Sequence, residues 1–492
     1  MTASTAALEL GIPFTDCMVL QRNQPVKIWG KGANGHTVTV QFRTQSRSAR
    51  VADNRWEVTL DPLAAGGPDS LCVQCGKETR QLVDVLVGEV WIAGGQSNMG
   101  VPMRSHEDAE HFLAQAHDAE LRILQLPVTE FGTYDRSRIR WRESTPESAG
   151  WFSAVAFFFA RQLRERLRVP VGIIGCYRGA TCNEYWTPRD LLQADPASKA
   201  LVERYERQAA AFASPREYDR AYQVYVEKRA AWQAAGGWST GVCPFPPMGP
   251  KSYQRPGGLY ETMVTPLQPF ALRGAIWYQG EGNASRPEQY ESMFPALVRG
   301  WRRDWGQGEF PFLFVQLPPY DGVPRYVWAR FREAQLACWR SIPNSGMIVS
   351  AGCGDRDDIH PAMKKPIGDR LAIAAHARVY GRDIVPFGPV FRAMTIEGTR
   401  AVLSFDYTGS GLEARPGPLG SFEICGPDRA FRPAAACIDG DHVMVSCKGI
   451  DDPVAVRYAF RSYPVMDLYN REGLPATPFR TDSFPLTHPK PE

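Results

Sequence analysis

The spacing of hydrophobic and polar residues changes twice along the chain. Residues 12 to about 85 form short segments of alternating polarity, such as "HTVTVQF" and "RWEVTL", separated by Gly-rich turns. Such alternation is typical of antiparallel strands with one buried face. The same pattern returns after about residue 386, in "RAVLSFDY" and "PVAVRYAF". We therefore predict β-rich segments at both ends of the chain.

Between these ends, continuous hydrophobic runs predict strands that are covered on both faces. The five runs are "GEVWIAG" (88–94), "VPVGIIG" (169–175), "LRGAIWYQG" (272–280), "FPFLFVQL" (310–317) and "GMIVSAG" (346–352). The segment "SAVAFFFARQLRERLR", between the first two runs, predicts an amphipathic crossover helix. The predicted fold class is α/β, a parallel sheet with helices on both faces and antiparallel β segments at both ends.

This change of pattern also predicts the domain organisation. We expect an N-terminal β-sandwich-like domain over residues 1–85, a central α/β domain over 86–385 and a C-terminal β-rich domain over 386–492. Residues 190–255 interrupt the central domain with helical patterns and then a Pro/Gly-rich loop. We interpret them as a helical insertion whose loop overhangs a cleft.

Composition and charge narrow the classes of function. The net charge is +3, from 56 basic and 53 acidic residues without a basic block, which argues against a nucleic-acid or membrane partner. No stretch approaches the roughly 18 apolar residues of a membrane span. No signal peptide is visible, so we expect a cytoplasmic protein, or a periplasmic or secreted one if a signal was removed. The eleven cysteines are scattered, and the CxxC at Cys72–Cys75 predicts buried thiols rather than a metal site.

The stretch "AGGQSNMG" (93–100) places Ser97 directly after a hydrophobic run. A serine acts as a nucleophile when a base takes its proton and a third group orients that base. Of the eight histidines, His360 is the favoured base because "GCGDRDDIHP" puts it in a loop after an apolar strand. His106 is the next candidate. His376 has the spacing of a packed helix residue, and we expect the remaining histidines to lie on polar surfaces: His36, His111, His117, His442 and His488.

The group that orients His360 should be a nearby carboxylate. Asp357 precedes the histidine by three residues, a spacing that lets its carboxylate turn onto Nδ1. We therefore predict Asp357 as the orienting residue, with Asp358 and Asp355 as alternatives.

Acyl transfer also needs hydrogen-bond donors for the oxyanion. The carboxyl ends of parallel strands share one crevice, so residues that follow the other hydrophobic runs should meet Ser97 there. Gly179 could offer a backbone N–H, and Gln279 and Asn283 could each offer a side-chain amide. We predict these three residues as the oxyanion hole, with no choice between the two amides.

Three motifs, in order, resemble a known family. "GQSNM", "WYQGExN" and "DxxHP…K…G.RLA" look like those of SGNH-type carbohydrate O-acetylesterases, specifically the sialate O-acetylesterase family. The terminal segments "DCMVLQRNQPVKIWG" and "LYNREGLPATPFRTD" resemble that family as well. The chain departs from the usual family pattern at Gly282 in "GEGN" and at Glu261 in "LYETM". These departures put the substrate preference in question more than the catalytic residues.

The resemblance implies a function and the roles that go with it. The protein would be a serine esterase that removes O-acetyl groups from carbohydrates through an acyl-enzyme, with neither metal nor cofactor. Ser97 would be the nucleophile and His360 the base, and the substrate would be a xylan or xyloglucan fragment or O-acetylated sialic acid. We also predict that Gln96, Trp186 and Glu281 contact the sugar. Other aromatic residues near strand ends could stack on it: Tyr278, Tyr320 and Trp328.

Two alternatives belong to different classes. A non-catalytic carbohydrate-binding protein would also explain the β-rich ends and the aromatic residues. A lipase- or thioesterase-type hydrolase on the same fold would need a long apolar channel, which the polar strand ends do not favour.

Overall fold

A computed structural model describes residues 7–132, 134–237 and 243–486. His488 therefore lies outside the described residues. The fold is mixed α/β, with a central mixed sheet and separate antiparallel sheets, which confirms the predicted class at this level.

The N-terminal strands are short and mostly antiparallel, apart from the long last one. They are β1 (Glu9–Leu10), β2 (Val19–Gln21), β3 (Val26–Lys31), β4 (Thr37–Phe42), β5 (Gln45–Arg50), β6 (Arg55–Leu60), β7 (Gly66–Cys75) and β8 (Glu78–Gly95). The predicted domain boundary after residue 85 falls inside β8. The first half of this strand pairs with β7, and its second half is a central strand of the α/β sheet. Buried side chains of both regions form one hydrophobic core.

The remaining central strands lie between residues 118 and 348. They are β9 (Asp118–Gln125), β10 (Trp141–Ser144), β11 (Val171–Tyr177), β12 (Gly274–Tyr278), β13 (Phe312–Val315) and β14 (Ser345–Ile348). The strand order is β10-β9-β11-β8-β12-β13-β14, and every neighbouring pair is parallel except β10 and β9. All five predicted runs are therefore confirmed as parallel strands. The sequence pattern missed β9 and β10.

Helices cover the sheet and form the insertion. They are α1 (Ser97–Gly100), α2 (Ala109–Ala114), α3 (Pro146–Gly150), α4 (Ala154–Leu167), α5 (Arg189–Ala194), α6 (Pro196–Ala210), α7 (Pro215–Ala234), α8 (Pro287–Trp305), α9 (Val327–Ser341) and α10 (Lys365–Arg378). The predicted crossover helix is α4. Because β9 and β10 precede it, α4 leads from β10 into β11 rather than from β8. The predicted insertion contains α5, α6 and α7.

The C-terminal region is rich in β structure, as predicted. Its strands are β15 (Val390–Glu397), β16 (Arg400–Asp406), β17 (Leu412–Ala414), β18 (Phe422–Cys425), β19 (Arg432–Pro433), β20 (Ala435–Asp439), β21 (His442–Ser446), β22 (Ala455–Tyr458), β23 (Leu468–Asn470) and β24 (Phe479–Arg480). They form two four-stranded antiparallel sheets and one strand pair around a second hydrophobic core. Within the described ranges, no helix is both long and apolar enough to cross a membrane.

Candidate active site

Ser97 lies at the carboxyl end of the central strand β8, where the chain turns into α1. The turn depends on Gly95, which has a φ of +131° and packs against the backbone of Tyr278. A Cβ at position 95 would lie 2.1 Å from the carbonyl oxygen of Tyr278. A glycine is therefore required for β8 and β12 to approach each other just before the serine.

The structure brings Ser97 and His360 together across 263 positions of sequence. The Oγ atom of Ser97 lies 2.8 Å from Nε2 of His360, which is hydrogen-bond distance. The imidazole is 44% exposed, so a ligand can reach it. Partial burial lowers the pKa of His360, which favours the neutral imidazole that can accept a proton.

Asp358, rather than Asp357, faces the other nitrogen of the imidazole. The Asp358 carboxylate lies 3.9 Å from Nδ1 of His360 and accepts the backbone N–H of the same residue at 2.7 Å. Among the described residues, the Asp357 side chain has no hydrogen bond or ion pair with His360, and its backbone N–H donates to Asp355 Oδ1 at 2.8 Å. Asp355 also accepts the N–H of Asp358, so its carboxylate stabilises the turn. Of the three candidate carboxylates, Asp358 alone has an ion-pair contact with the imidazole among the described residues, which favours this alternative over Asp357. The orienting role itself stays a prediction.

Asn98, next to the serine, connects three loops of the site. Its amide donates to the carbonyl oxygen of Ile359 at 2.9 Å and to Glu281 Oε1 at 2.5 Å. Its own oxygen accepts from Nζ of Lys364 at 2.6 Å. Because Ile359 precedes His360, these bonds fix the histidine loop relative to the serine. Sequence reasoning gave no role to Asn98 or Lys364, although both stand within the quoted motifs.

This network contains two oppositely charged groups: Lys364 is fully buried, and Glu281 is partly exposed. Burial lowers the pKa of Lys364 to about 8 and raises that of Glu281. The second carboxylate oxygen of Glu281, Oε2, is buried and has no hydrogen-bond partner among the described residues. Glu281 therefore lies at the site, as predicted, but its contacts are with the catalytic loops.

The predicted oxyanion amides are committed to other partners. Gln279 donates to Thr181 O at 3.2 Å and to Asn283 Oδ1 at 2.8 Å. The amide of Asn283 donates to Glu184 at 2.9 Å, inside a fully buried network. In this structure the amides of Gln279 and Asn283 join the loops that follow β11 and β12. Their oxyanion roles stay predictions.

The backbone N–H of Gly179 and the side-chain amide of Gln96 are hydrogen-bond donors without a partner among the described residues. A Cβ at position 179 would lie 3.4 Å from the Cβ of Ser97, so only a residue without a side chain leaves that space open. Among the described residues, the backbone N–H of Gly179 makes no hydrogen bond. The side-chain oxygen of Gln96 accepts from the N–H groups of Gly280 and Gly282 at 3.4 and 3.2 Å. These bonds orient its amide, whose Nε2 atom has no partner in the described part of the chain.

Trp186, predicted to contact the sugar, is fully buried in this structure. Its indole N–H donates to Thr181 at 3.1 Å, and its ring packs against Trp277 in the core. Tyr278 and Trp328 are also buried. Tyr320 alone of the predicted stacking residues is partly exposed, beside Trp328 at 5.5 Å between ring centroids.

The departures from the family motifs have local structural consequences. A Cβ at Gly282 would lie 2.6 Å from the carbonyl oxygen of Thr181, so the loops after β11 and β12 approach closely there. Glu261 forms an ion pair with Arg255 at 3.0 Å.

Among the described residues, His360 is the histidine whose hydrogen bond to Ser97 is found. His106 is buried between Phe112 and Phe158, and the backbone N–H groups of Asp108 and Lys365 point at its ring. His376 is buried in α10, as its spacing predicted. The described residues contain no group of three or more His, Cys, Asp or Glu side chains placed to hold a metal ion.

A serine hydroxyl bonded to an imidazole, at the carboxyl edge of a parallel sheet, is the arrangement of a carboxylic ester hydrolase. Comparisons with known proteins agree with this class. Residues 247–376 match the family described as "Carbohydrate esterase, sialic acid-specific acetylesterase". The chain is 30% identical to the sialate O-acetylesterase of Rattus norvegicus, over 94% of this chain and 92% of that protein. The human sialate O-acetylesterase is 28% identical, with 94% and 90% covered.

A solved structure has the same overall fold. The crystal structure of a novel carbohydrate acetylesterase from Xanthomonas citri superposes with a TM-score of 0.81, at 34% identity, over 97% of this chain and 100% of that chain. The chain belongs to the sialic acid-specific acetylesterase family of carbohydrate esterases. The predicted resemblance and class of function are thereby confirmed.

Proposed function

We propose that this protein is an SGNH-type serine esterase that removes O-acetyl groups from carbohydrates through an acetyl-enzyme on Ser97. The observation that carries the proposal is the 2.8 Å contact between Ser97 Oγ and His360 Nε2. A non-catalytic carbohydrate-binding protein has no need of a neutral imidazole against an accessible hydroxyl.

In the first half of the reaction, His360 takes the proton of Ser97 as Oγ attacks the acetyl carbonyl carbon. The tetrahedral intermediate collapses when the bond between that carbon and the sugar oxygen breaks. His360 returns its proton to the departing sugar oxygen, which leaves as a hydroxyl. In the second half, His360 takes a proton from water as the water oxygen attacks the acetyl carbon of the acetyl-enzyme. The bond to Ser97 Oγ then breaks, Oγ regains its proton from His360, and acetate leaves.

Two donors are proposed for the oxyanion. The backbone N–H of Gly179 lies on the residue that packs against Ser97, and the Gln96 amide is held in place by two backbone N–H groups. Fixed donors of this kind stabilise the developing negative charge without reorganising during the reaction. Asp358 is the proposed orienting residue. Its 3.9 Å separation from Nδ1 is longer than a hydrogen bond, and such contacts often shorten when substrate binds.

The substrate is an O-acetylated sugar. The names of the mammalian relatives favour sialate, and acetylated xylan and xyloglucan fragments are the other candidates. Acetate release should therefore be measured on all three sugars, and fatty-acid release on a long-chain acyl ester, which a lipase-type hydrolase would prefer.

The matched blank is Ser97→Ala, which removes only the hydroxyl oxygen of a partly exposed residue. We expect the wild type to release acetate from at least one acetylated sugar, and the variant to release none above the uncatalysed rate. Retained activity in Ser97→Ala would contradict the proposal. Preference for the long-chain ester would support the lipase-type alternative instead.

A further inference from the structure

A cavity of about 510 Å³ lies beside β9 and β10, and none of its lining residues belongs to the catalytic network. Its walls include Gln125 and Pro127 at the carboxyl end of β9, and the segment of residues 137–142 that leads into β10. In the sheet, β11 alone separates β9 from β8, which ends just before Ser97. Two strand spacings put β9 about 10 Å from β8 across the sheet.

Three arginines line one wall of this cavity. Arg138, Arg140 and Arg142 are exposed, whereas the intervening Ile139 and Trp141 are buried in the core. The alternation places the three guanidinium groups on one side of an extended segment. Within residues 7–132, 134–237 and 243–486, none of the three side chains has a hydrogen bond or an ion pair. Arg138 interacts electrostatically with the exposed carboxylate of Asp135, which does not form an ion pair with it.

The opposite wall provides groups that recognise sugars. Trp151 is 64% exposed, an unusual position for an indole, and the guanidinium of Arg104 lies over its ring. Glu147 and Ser148 of α3 also line the cavity. An exposed indole offers an apolar face for a sugar ring, and the Glu147 carboxylate can accept hydrogen bonds from its hydroxyl groups. The Ser148 hydroxyl is used within the protein, because it donates to the carbonyl oxygen of Glu143 at 2.6 Å. With one carboxylate facing three guanidinium groups, the cavity keeps an excess of positive charge.

The charge excess decides the class of ligand. Guanidinium groups bind carboxylate and sulfate oxygens through charge-assisted, often bidentate hydrogen bonds. A neutral sugar would leave them unused, and a bare anion would leave the indole unused.

We propose that this cavity is a second carbohydrate site, which binds a saccharide that carries a carboxylate or sulfate group. The inference rests on the proposed function only in taking a carbohydrate as the ligand. The site holds no reacting atoms, and its role is to retain an anionic glycan near the catalytic edge.

Calorimetric titration tests the proposal with three probes: tri-galacturonic acid, the neutral trisaccharide maltotriose, and sodium sulfate. We expect tri-galacturonic acid to bind at least about tenfold more tightly than either other probe at low ionic strength. The affinity should fall as sodium chloride is added, because the contacts are ionic and partly exposed.

Matched variants separate the cavity from general surface charge. The triple substitution Arg138→Gln, Arg140→Gln, Arg142→Gln should weaken tri-galacturonic acid at least about tenfold. The control makes the same charge change at three exposed helix arginines, Arg204→Gln, Arg207→Gln and Arg220→Gln, and should bind like the wild type. Trp151→Ala should weaken the saccharide several-fold and leave sulfate unchanged. Thermal melting of each variant verifies that it is folded.

The outcomes are distinct. Equal affinity for the anionic and neutral trisaccharides, or equal losses in the cavity and control triple variants, would overturn the proposal. If sulfate binds as tightly as the saccharide and Trp151→Ala does not change the affinity for the saccharide, the cavity is an ion site only. That result would also overturn the proposal. Hydrolysis of p-nitrophenyl acetate by the cavity variants is measured separately and should match the wild type. Failure of the binding site therefore leaves the test of Ser97 unaffected.

Discussion

A glutamate lies at each end of the parallel strands of the central sheet, and the two glutamates differ in their partners. At the amino edge, Glu89 is fully buried and forms ion pairs with Arg22 at 2.6 Å and Arg273 at 2.8 Å. Tyr380 and Gln21 also donate to it, at 3.2 Å each. At the carboxyl edge, Glu281 accepts one hydrogen bond from Asn98, and its other oxygen has no partner among the described residues.

The difference separates stability from function. Buried charges that are fully paired hold a structure together, and removing one partner leaves the others uncompensated. Buried groups with incomplete partners cost stability and are found where chemistry requires them. Substitutions at the amino edge should therefore lower stability and leave the rate unchanged. Substitutions at the carboxyl edge should lower the rate without lowering stability.

The largest expected effect is that of His360→Ala. Without the imidazole no group can take the proton of Ser97, so kcat/KM for an acetyl ester should fall by about 10³-fold or more. The side chain is 44% exposed, so the melting temperature should stay at the wild-type value. A near-normal rate would mean that another group is the base. The claim that the carboxyl edge of the sheet serves function would then fail.

Next in size is the effect of Glu89→Gln on stability. The substitution leaves Arg22 and Arg273 without their buried counter-charge, and we expect a loss of about 3–5 kcal/mol in the free energy of unfolding. Urea denaturation measures the loss. The control is Glu57→Gln, which breaks the exposed pair with Lys27 at 3.0 Å and should cost about 1 kcal/mol or less. Equal losses for the two variants, or a reduced kcat in folded Glu89→Gln, would contradict the account.

A smaller effect distinguishes the two aspartates of the histidine loop. Asp358→Asn should lower kcat by about tenfold, because it removes the carboxylate that faces Nδ1 of the imidazole. Asp357→Asn changes a side chain that does not contact His360 and should alter kcat by less than about twofold. Steady-state kinetics on an acetyl ester compares the pair. The reverse order would restore the assignment made from the sequence spacing.

The smallest effect is expected for Glu281→Gln. Burial raises the pKa of this carboxyl group above its ordinary value of 4.5, so the folded state binds the proton more tightly than the unfolded state. The ionised form therefore costs stability as the pH rises above 4.5, and the neutral amide removes that cost. The variant should be at least as stable as the wild type at pH 7 and should lose the advantage near pH 4. Its kcat should fall only a few-fold, and a loss of stability at pH 7 would contradict the contrast with Glu89.

Much of this arrangement was predictable from the sequence. The hydrophobic runs identified five of the parallel strands, and the polar residues that follow them identified Ser97 and His360 as a pair. The strand β9, "DAELRILQ", escaped because charged residues interrupt its apolar positions. The sequence also did not predict that β8 is one continuous strand, because its change from alternating to continuous hydrophobicity resembles a domain boundary.

Side-chain partners were less predictable than strand positions. Gln279 and Asn283 have the chemistry of oxyanion donors, but their donors are taken by Thr181 and Glu184, on a loop that is distant in sequence. Trp186 follows a strand, as a sugar platform would, yet it is buried against Trp277. The choice between Asp357 and Asp358 depends on a turn capped by Asp355, which residue spacing alone does not reveal.

The most direct test of the central claim is to trap the acyl-enzyme. The protein is mixed with p-nitrophenyl acetate, quenched in acid within one turnover, digested and analysed by peptide mass spectrometry. We predict an acetyl group on Ser97, in the peptide that contains "GGQSNMG", and none on that peptide in Ser97→Ala. Turnover without acetylation of Ser97 would contradict the account. Acetylation of a different residue would also contradict it if the Ser97→Ala variant kept both that acetyl group and its activity.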